Sequence, residues 1–208
     1  MVLGEAVNMS GEAASRTTLD LPGRQQELLE KVYETGKQIV LVLLGGRPLS
    51  LTWADEHIDA IVEAFQPGWE GGNAVANILF GDVNPSAKLP ITVPRSAGQC
   101  PKFYAENLTH QPAEDQPKPY SRYWNEEGTP LYPFGYGLSY TTFEYSDLVL
   151  EKEKIQLGEE AVVRFNLSNT GSRAGAEIAQ LYIHQRYGSD TRPKETVEGI
   201  YEDRFDAG

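Results

Sequence analysis

Two glycine-containing segments of this sequence carry glutamates that could take part in chemistry, Ser10-Gly-Glu12 and Pro67-Gly-Trp-Glu-Gly-Gly72. Glycine lets a backbone approach a ligand closely, and glycines at the start of a helix leave backbone N–H groups available to an anion. The second segment is not a phosphate loop, because no G-x-x-x-x-G-K-[ST] pattern is present. Taken alone, Glu12 is typical of a solvated loop carboxylate or of an anion at the start of a helix.

The sequence predicts neither a metal site nor a cofactor site. Its three histidines, His57, His110 and His184, do not form H-x-x-x-H or H-E-x-x-H patterns. Cys100 is the single cysteine, so an intrachain disulfide and a cysteine cluster are both excluded. We therefore expect a protein that works without a metal ion or a cofactor.

The charge of the chain restricts its partners. The 208 residues carry a formal net charge of -12, whereas binding to nucleic acid requires clustered Lys and Arg. An anionic membrane surface is disfavoured for the same reason, and the longest apolar run, Ile39 to Leu44, is too short to span a bilayer. A neutral ligand such as a sugar is compatible with this charge.

The elements that must position these segments follow an α/β pattern over residues 1–100. Apolar residues at helical spacing predict a helix between Pro22 and Gly36, and the apolar run 39–44 is typical of a strand buried on both faces. We also predict helices over 58–65 and 73–80 and a strand over 89–93. This order indicates layered helices around a mostly parallel sheet.

The rest of the chain changes character twice. Residues 101–141 are rich in Pro, Gly and aromatic residues without a sustained period, which favours a packed segment that links two domains. From residue 142 the period is two, with strands predicted over 162–168 and 178–183 and a turn over 169–171. Residues 142–208 thus predict part of a β-sandwich, since a complete one takes about 100 residues.

Several segments in this order resemble glycoside hydrolase family 3, the β-glucosidase and β-xylosidase type. They are Ser10-Gly-Glu-Ala-Ala-Ser-Arg16, Leu21-Pro22, Gly46-Arg-Pro-Leu49, Pro67-Gly-Trp-Glu-Gly-Gly-Asn-Ala74, Leu79-Phe-Gly-Asp-Val-Asn-Pro-Ser86, Lys88-Leu-Pro90, Leu131-Tyr-Pro-Phe-Gly-Tyr-Gly-Leu-Ser-Tyr-Thr141, Asn169-Thr-Gly171 and Gln180-Leu-Tyr182. The resemblance covers nearly the whole chain.

The resemblance implies a domain layout and a pair of boundaries. Family members have an N-terminal barrel, an α/β-sandwich domain and often a fibronectin type III-like domain. On that layout residues 1–100 belong to an α/β-sandwich domain truncated at its N-terminus, and 101–141 complete it and lead onward. Residues 142–208 correspond to a fibronectin type III-like domain truncated at its C-terminus. We therefore expect a fragment whose missing partner is the barrel.

The resemblance also implies the chemistry. Family 3 enzymes retain configuration with two carboxylates, a geometry that needs them about 5–5.5 Å apart. The nucleophile is an Asp of the barrel, and no residue here matches its motif. Glu12 matches the acid/base of the S-G-E loop, although this chain has Ser15 where the related motif often has Asp. Arg16 matches too, and three roles are open for it: positioning Glu12, contacting sugar hydroxyls, or pairing with a carboxylate such as Asp20.

Three further residues are candidate substrate contacts on this resemblance: Trp69, Glu70 and Trp124. Aromatic rings pack against the C–H faces of sugars, but Trp69 is also compatible with core packing and Trp124 with packing at a domain interface. Glu70 is compatible with bracing its loop. Glu5, between a predicted strand and a loop, is expected to be structural.

Two functions remain open from the sequence. The first is a fragment of a retaining β-glycosidase, most simply a β-glucosidase, that acts on β-linked oligosaccharides or glycosides and is inactive without its barrel. The alternative is a non-catalytic carbohydrate-binding or scaffold module. The sequence does not indicate the sugar, the linkage or the compartment, although family members are often periplasmic or secreted.

Overall fold

The chain folds into an α/β part followed by two β-hairpins. The computed structural model describes residues 1–107, 123–185 and 189–207. Its elements are β1 (Val2–Gly4), β2 (Ser10–Gly11), β3 (Ala14–Ser15), α1 (Gln25–Tyr33), β4 (Val40–Leu44), α2 (Thr52–His57), β5 (Ala60–Phe65), α3 (Gly71–Phe80), β6 (Phe143–Leu150), β7 (Val163–Asn169), β8 (Gly175–Ile183) and β9 (Thr196–Phe205). A 3-10 turn covers Ala97–Gln99.

A parallel sheet in the order β1-β4-β5 organises the α/β part. Val42, at the centre of β4, lies opposite Val2 of β1 and Val62 of β5. Leu41, Val42 and Leu43 are all buried, because β4 has a neighbouring strand on each side and is covered on both faces. This confirms the buried strand predicted from the apolar run.

Helices α1 and α3 confirm two of the predicted helices. Leu29 of α1 is completely buried in the core cluster, which explains why apolar residues recur at helical spacing there. Gly36, just beyond α1, and Gly81, at the end of α3, both have left-handed backbone conformations with φ of 68° and 80°. Glycine adopts this conformation without strain and therefore ends both helices.

The helix predicted over 58–65 is wrong. Residues 60–65 form strand β5, and the helix lies just before it, in α2. The apolar residues of this stretch fit a helical stripe, but a short apolar run has no decisive period. Pairing with β4 satisfies the backbone of Ala60–Phe65 and decides the structure.

The strand predicted over 89–93 is also wrong, because only isolated pairing is formed there. Leu89 N donates to Tyr136 O at 2.7 Å and Val93 N donates to Tyr132 O at 2.8 Å, and Val93 and Tyr132 form a single bridge. Pro90 lacks an N–H and cannot donate to a continuous ladder. The segment is extended but makes contact at two points.

The linking segment is irregular in the parts that the structure describes. Residues 108–122 of the predicted 101–141 segment lie outside the described residues, as do His110 and Gly208. In the remainder, Tyr104 stacks on Phe134 with ring centroids 4.5 Å apart, and Tyr132 stacks on Tyr136 at 5.2 Å. These four aromatic residues therefore pack as two stacked pairs.

Two antiparallel hairpins, β6–β7 and β8–β9, form the C-terminal part. The predicted strands 162–168 and 178–183 correspond to β7 and β8. Their assignment to a fibronectin type III-like domain stays a prediction. None of the helices in the described parts of the chain has the length and hydropathy that a membrane crossing requires.

Candidate functional site

The candidate site lies where the three parallel strands end. Glu5 directly follows β1, Gly45, Gly46 and Arg47 follow β4, and the segment 66–70 follows β5. The carboxyl ends of parallel strands meet at one edge of a sheet, where open α/β sheets bind their ligands. Segments from all three strands therefore converge on this edge.

Glu12 occupies the turn of a small hairpin that rises from this edge. Strands β2 and β3 pair through Ser10 opposite Ser15 and Gly11 opposite Ala14, so Glu12 and Ala13 form the turn. Ala13 adopts a left-handed backbone with φ of 56°, and the Glu12 side chain is exposed. Glu12 is thus a turn residue and not the first residue of a helix.

Glu5 is the buried ionic centre beneath this hairpin. Its side chain is 0% exposed and its Oε1 lies 2.8 Å from Arg16 Nη1 and 2.8 Å from Arg47 Nη2. The hydrogen bond from Arg47 is the main cause that lowers the pKa of Glu5; burial opposes it, and Arg16 and the Ser10 hydroxyl add to it. Glu5 is therefore held as a carboxylate.

Arg47 also binds the chain that leaves the hairpin. Its Nη1 donates to the Arg16 carbonyl at 2.8 Å and its Nη2 donates to the Thr18 carbonyl at 3.1 Å. The strand β2 sits close to the neighbouring Gly46, since a Cβ atom at Gly46 would lie 2.6 Å from Ser10 Oγ. The β4 loop thus contacts both ends of the hairpin.

Arg16 forms an ion pair with a carboxylate, as one of the predicted roles requires, but the carboxylate is that of Glu5 and not that of Asp20. Its second guanidinium nitrogen, Nη2, donates to Thr18 Oγ1 at 3.1 Å. Arg16 directly follows β3, at the end of the hairpin away from the turn that carries Glu12. Of the three roles considered for Arg16, pairing with a carboxylate is the one that the structure contains.

The end of β1 is held by two hydrogen bonds with helix α1. Gln25 Nε2 donates to Gly4 O at 2.9 Å, and Gly4 N donates to Gln25 Oε1 at 2.8 Å. Gly4 has a φ of 136°, and a Cβ atom there would lie 1.8 Å from Leu44 O. Only glycine allows β1 to approach β4 this closely and turn toward Glu5.

Trp69 and Glu70 lie on the loop between β5 and α3, at the same sheet edge. The Trp69 side chain is fully exposed, so core packing is wrong for this residue. Glu70 Oε2 accepts a hydrogen bond from Asn73 Nδ2 at 2.5 Å, which braces the start of α3. Trp69 therefore presents its whole ring to solvent beside the convergent loops.

Trp124 belongs to a different segment of the molecule. Its side chain is also fully exposed in the described part of the chain, and both stacking on a sugar and packing at a domain interface stay predictions. The adjacent Tyr123 donates its hydroxyl hydrogen to Gly98 O at 2.9 Å, and this bond holds the segment to residues 96–100. The sheet edge itself carries Glu12, Arg16, Trp69 and Glu70.

The end of β5 carries two features that sequence inspection missed. Phe65 adopts a left-handed backbone with φ of 48° next to a bulge opposite Leu43 and Leu44, and strain of this kind clusters at functional sites. Burial raises the pKa of Glu63 to about 7, while a hydrogen bond from Phe65 N, at 3.3 Å, acts in the opposite direction.

Arg47 is the other residue that was missed as part of the site. The signal for it is its place in Gly45-Gly46-Arg47, directly after a buried strand and therefore at the same sheet edge as Glu5.

In the described parts of the chain, no group of three or more His, Cys, Asp or Glu side chains is arranged to hold a metal ion.

Comparison with known proteins gives a consistent result over this fold. The profile of the Glycosyl hydrolase family 3 C-terminal domain matches residues 1–140. A periplasmic beta-glucosidase of Salmonella typhimurium is 46% identical, over 96% of this chain and 26% of that protein. A beta-xylosidase of Formosa agariphila is 39% identical, over 96% of this chain and 27% of that protein.

Solved structures agree with the curated relatives. The beta-glucosidase of Listeria innocua in complex with gluconolactone superposes with a TM-score of 0.95 at 36% identity, covering 100% of this chain and 29% of that one. The chain therefore spans about a quarter of the length of the relatives that it matches.

Proposed function

Because the chain belongs to glycosyl hydrolase family 3, we propose that it is the acid/base-bearing part of a retaining β-glycosidase. Glu12 is the acid/base in this proposal, and the nucleophilic carboxylate comes from a barrel domain outside this chain. The observation that carries the proposal is the tethered hairpin, which presents an exposed Glu12 above the edge where the three parallel strands end.

The proposed reaction has two steps at the anomeric carbon. In the first, the barrel carboxylate bonds to that carbon while the glycosidic C–O bond breaks, and Glu12 gives its proton to the departing oxygen. In the second, Glu12 takes a proton from water, whose oxygen bonds to the anomeric carbon and displaces the carboxylate. Glu12 thus begins and ends the cycle protonated.

The exposure of Glu12 suits this role. A residue that serves an active site formed with another domain must project away from its own domain, and a turn between two short strands does so. We assign Arg16 to orienting this turn through its ion pair with Glu5. Trp69 and Glu70 lie on the next loop of the same edge. We assign Trp69 to stacking on a sugar ring and Glu70 to bracing its loop.

We propose β-linked glucosides as the substrate class. Support comes from the relatives: the Listeria innocua enzyme has been solved with gluconolactone, with isofagomine and with glucose. Trp124, on the segment that Tyr123 holds to residues 96–100, is assigned to a further sugar unit of an oligosaccharide.

The test compares two substrates in an enzyme that contains this chain together with its barrel. Glu12→Ala should lower kcat/KM for cellobiose by about 10²–10⁴-fold, because the poor leaving group needs a proton. A dinitrophenyl β-glucoside, whose leaving group needs no proton, should lose far less. The separate 208-residue chain should hydrolyse neither substrate.

Two results would count against the proposal. Equal losses of kcat/KM for both substrates would mean that Glu12 is not the acid. Hydrolysis by the chain alone would mean that the nucleophile lies within it. Binding of cellobiose that Glu12→Ala leaves unchanged, without any hydrolysis by the complete protein, would favour a carbohydrate-binding module instead.

A further inference from the structure

We propose that Glu5 is a positioning residue that holds the Glu12 hairpin in place through Arg16 and Arg47. The requirement is ionic: the carboxylate of Glu5 must be charged and must reach both guanidinium groups. This inference rests on the proposed acid/base role of Glu12 for its catalytic consequence, but its structural part stands without it.

The first step is that the hairpin is too small to hold itself. Strands β2 and β3 have two residues each and pair at two positions only. An isolated two-stranded hairpin is at best marginally stable in water, even when it is longer than this. The orientation of the turn at Glu12 must therefore come from contacts outside the hairpin.

The second step is that those contacts converge on one carboxylate. Arg16, directly after β3, donates from Nη1 to Glu5 Oε1 at 2.8 Å, and the Ser10 hydroxyl, in β2, helps to lower the pKa of Glu5. Arg47 binds Glu5 through Nε and Nη2 and also holds the carbonyls of Arg16 and Thr18. The chain that leaves the hairpin is thus tied to the Glu5 carboxylate, directly through Arg16 and through the two carbonyls that Arg47 holds.

The third step is that Glu5 itself is rigidly placed. Its N–H donates to Leu44 O at 2.8 Å, and the preceding Gly4 is bracketed by the side chain of Gln25. The tether therefore runs from the sheet and helix α1, through Glu5, to the residues that directly follow the hairpin of Glu12.

The fourth step is that the three charged side chains are largely buried, so the two arginines depend on the charge of Glu5. The Glu5 side chain is 0% exposed, and those of Arg16 and Arg47 are only 21% and 19% exposed. Removing one partner of a buried ion pair leaves the other charges uncompensated, so the guanidinium groups turn toward other acceptors or toward water. The hairpin then loses the contacts that orient it.

Small displacements matter at the residue that such a hairpin presents. A shift of about 1 Å in a catalytic group costs on the order of 10²-fold in rate. A displaced Glu12 fails to protonate a poor leaving group but leaves a good leaving group unaffected, which separates mispositioning from general damage to the fold.

The test uses Glu5→Gln, which keeps the shape of the side chain and removes its charge. In the 208-residue chain, amide hydrogen exchange of residues 10–15 should become at least about tenfold faster while that of β4 is unchanged. In the enzyme with its barrel, kcat/KM for cellobiose should fall about 10–100-fold and that for the dinitrophenyl glucoside less than about threefold.

A matched control is Glu27→Gln on helix α1. Glu27 is also paired with an arginine, Arg24, at 2.6 Å, but its side chain is 51% exposed. Pairs at the surface contribute little, so the exchange rates of residues 10–15 and the ratio of the two kcat/KM values should equal those of the unaltered protein.

A second variant covers the case in which Glu5→Gln does not fold. Arg47→Lys keeps a positive charge beside Glu5 but lacks the planar fork that reaches the carbonyls of Arg16 and Thr18. It should show the same two effects at smaller size. The proposal is overturned if a folded Glu5→Gln or Arg47→Lys exchanges at residues 10–15 like the unaltered protein.

The outcomes separate this inference from the proposed function. If Glu12→Ala shows no dependence on the leaving group, the acid/base role fails, and hydrogen exchange still decides whether Glu5 holds the hairpin. A different result is that Glu12→Ala depends on the leaving group, while Glu5→Gln exchanges faster at residues 10–15 but shows no such dependence. Glu5 then holds the hairpin, but the proposed effect of this tether on catalysis is refuted.

Discussion

The surroundings of two carboxyl groups, one just after β1 and one on β5, shift their pKa values in opposite directions. Glu5 follows β1, and the Arg47 guanidinium is the main cause of its lowered pKa. Glu63 lies on β5, opposite the buried Leu43, and burial raises its pKa to about 7. The difference is that two cations offset the burial of Glu5, whereas the main influence on Glu63 is burial.

The raised pKa of Glu63 predicts that stability falls as pH rises. In the unfolded chain Glu63 loses its proton near 4.5, the ordinary pKa of a glutamate, whereas the folded protein keeps that proton up to about 7. The folded state therefore binds more protons between these values, and stability decreases across this window by about 2–3 kcal/mol. Glu63→Gln should remove this slope and be the more stable protein at pH 8.

The measurement is urea denaturation at several values of pH between 4.5 and 8. Glu34→Gln is the control, since its side chain is 61% exposed and its loss should leave the slope unchanged. A Glu63→Gln protein whose stability follows the same pH dependence as the unaltered chain would contradict the prediction.

The sequence indicated Glu12 but not the network beneath it. Glu12 and Arg16 are four residues apart in a recognisable segment, so the resemblance identified both. Glu5 is 11 residues from Arg16 and 42 from Arg47, and only the parallel pairing of β1 with β4 brings them together. A contact set by strand pairing over such separations has no local pattern to reveal it.

At the scale of elements, the same limit explains the errors at β5. The residues Ile58, Ile61, Val62 and Phe65 follow helical spacing, and nothing local opposes a helix there. The strand forms because β4 offers a paired edge from Val40 to Leu44. At α1 and α3 the helical spacing is joined by a glycine that ends the helix, a second signal that does not depend on a distant partner.

A substitution at Gly4 tests whether the close approach of β1 to β4 is required for stability. Its φ of 136° strains any other residue, and a Cβ atom would lie 1.8 Å from Leu44 O. Gly4→Ala should therefore force the two strands apart and lower the free energy of unfolding by at least about 2 kcal/mol. Thermal or urea denaturation followed by circular dichroism measures this loss.

The matched substitution is Gly72→Ala in the first turn of α3. A Cβ atom at Gly72 meets nothing within 4 Å, so alanine should stabilise the protein by about 0.4–1 kcal/mol through a less flexible unfolded chain. Equal effects of the two substitutions would mean that the contact between β1 and β4 is looser than described.

At the scale of the whole molecule, polar contacts join the α/β part to the C-terminal hairpins. Asn84 Oδ1 accepts hydrogen bonds from Ser139 Oγ and from Tyr140 N, and its Nδ2 donates to Ala174 O. Asn84 belongs to the Leu79–Ser86 segment that carried the resemblance. That segment therefore holds the two parts of the chain together, in addition to ending α3.

Lys88 and Glu177 form the charged contact across the same junction. Lys88 Nζ lies 3.1 Å from Glu177 Oε2, and the two side chains are 13% and 12% exposed. Tyr145 donates its hydroxyl hydrogen to Glu177 Oε1 at 3.1 Å, and burial, followed by Glu177, raises the pKa of Tyr145 to about 12. One carboxylate thus links the α/β part, β6 and β8.

Glu177→Gln should weaken this junction by about 1–3 kcal/mol, because Lys88 keeps its charge in a largely buried place while its ionic partner becomes neutral. The Gly137 carbonyl, at 3.0 Å, is the other acceptor of Lys88 and carries no charge. Urea denaturation at pH 7 should show the hairpins unfolding at lower concentration than in the unaltered chain. Glu202→Gln is the control, since Glu202 bonds Ser86 at the surface of the same hairpin, and its effect should stay within about 0.5 kcal/mol. If both variants unfold alike, the junction is held by Asn84 and the aromatic contacts, and the ion pair adds nothing to it.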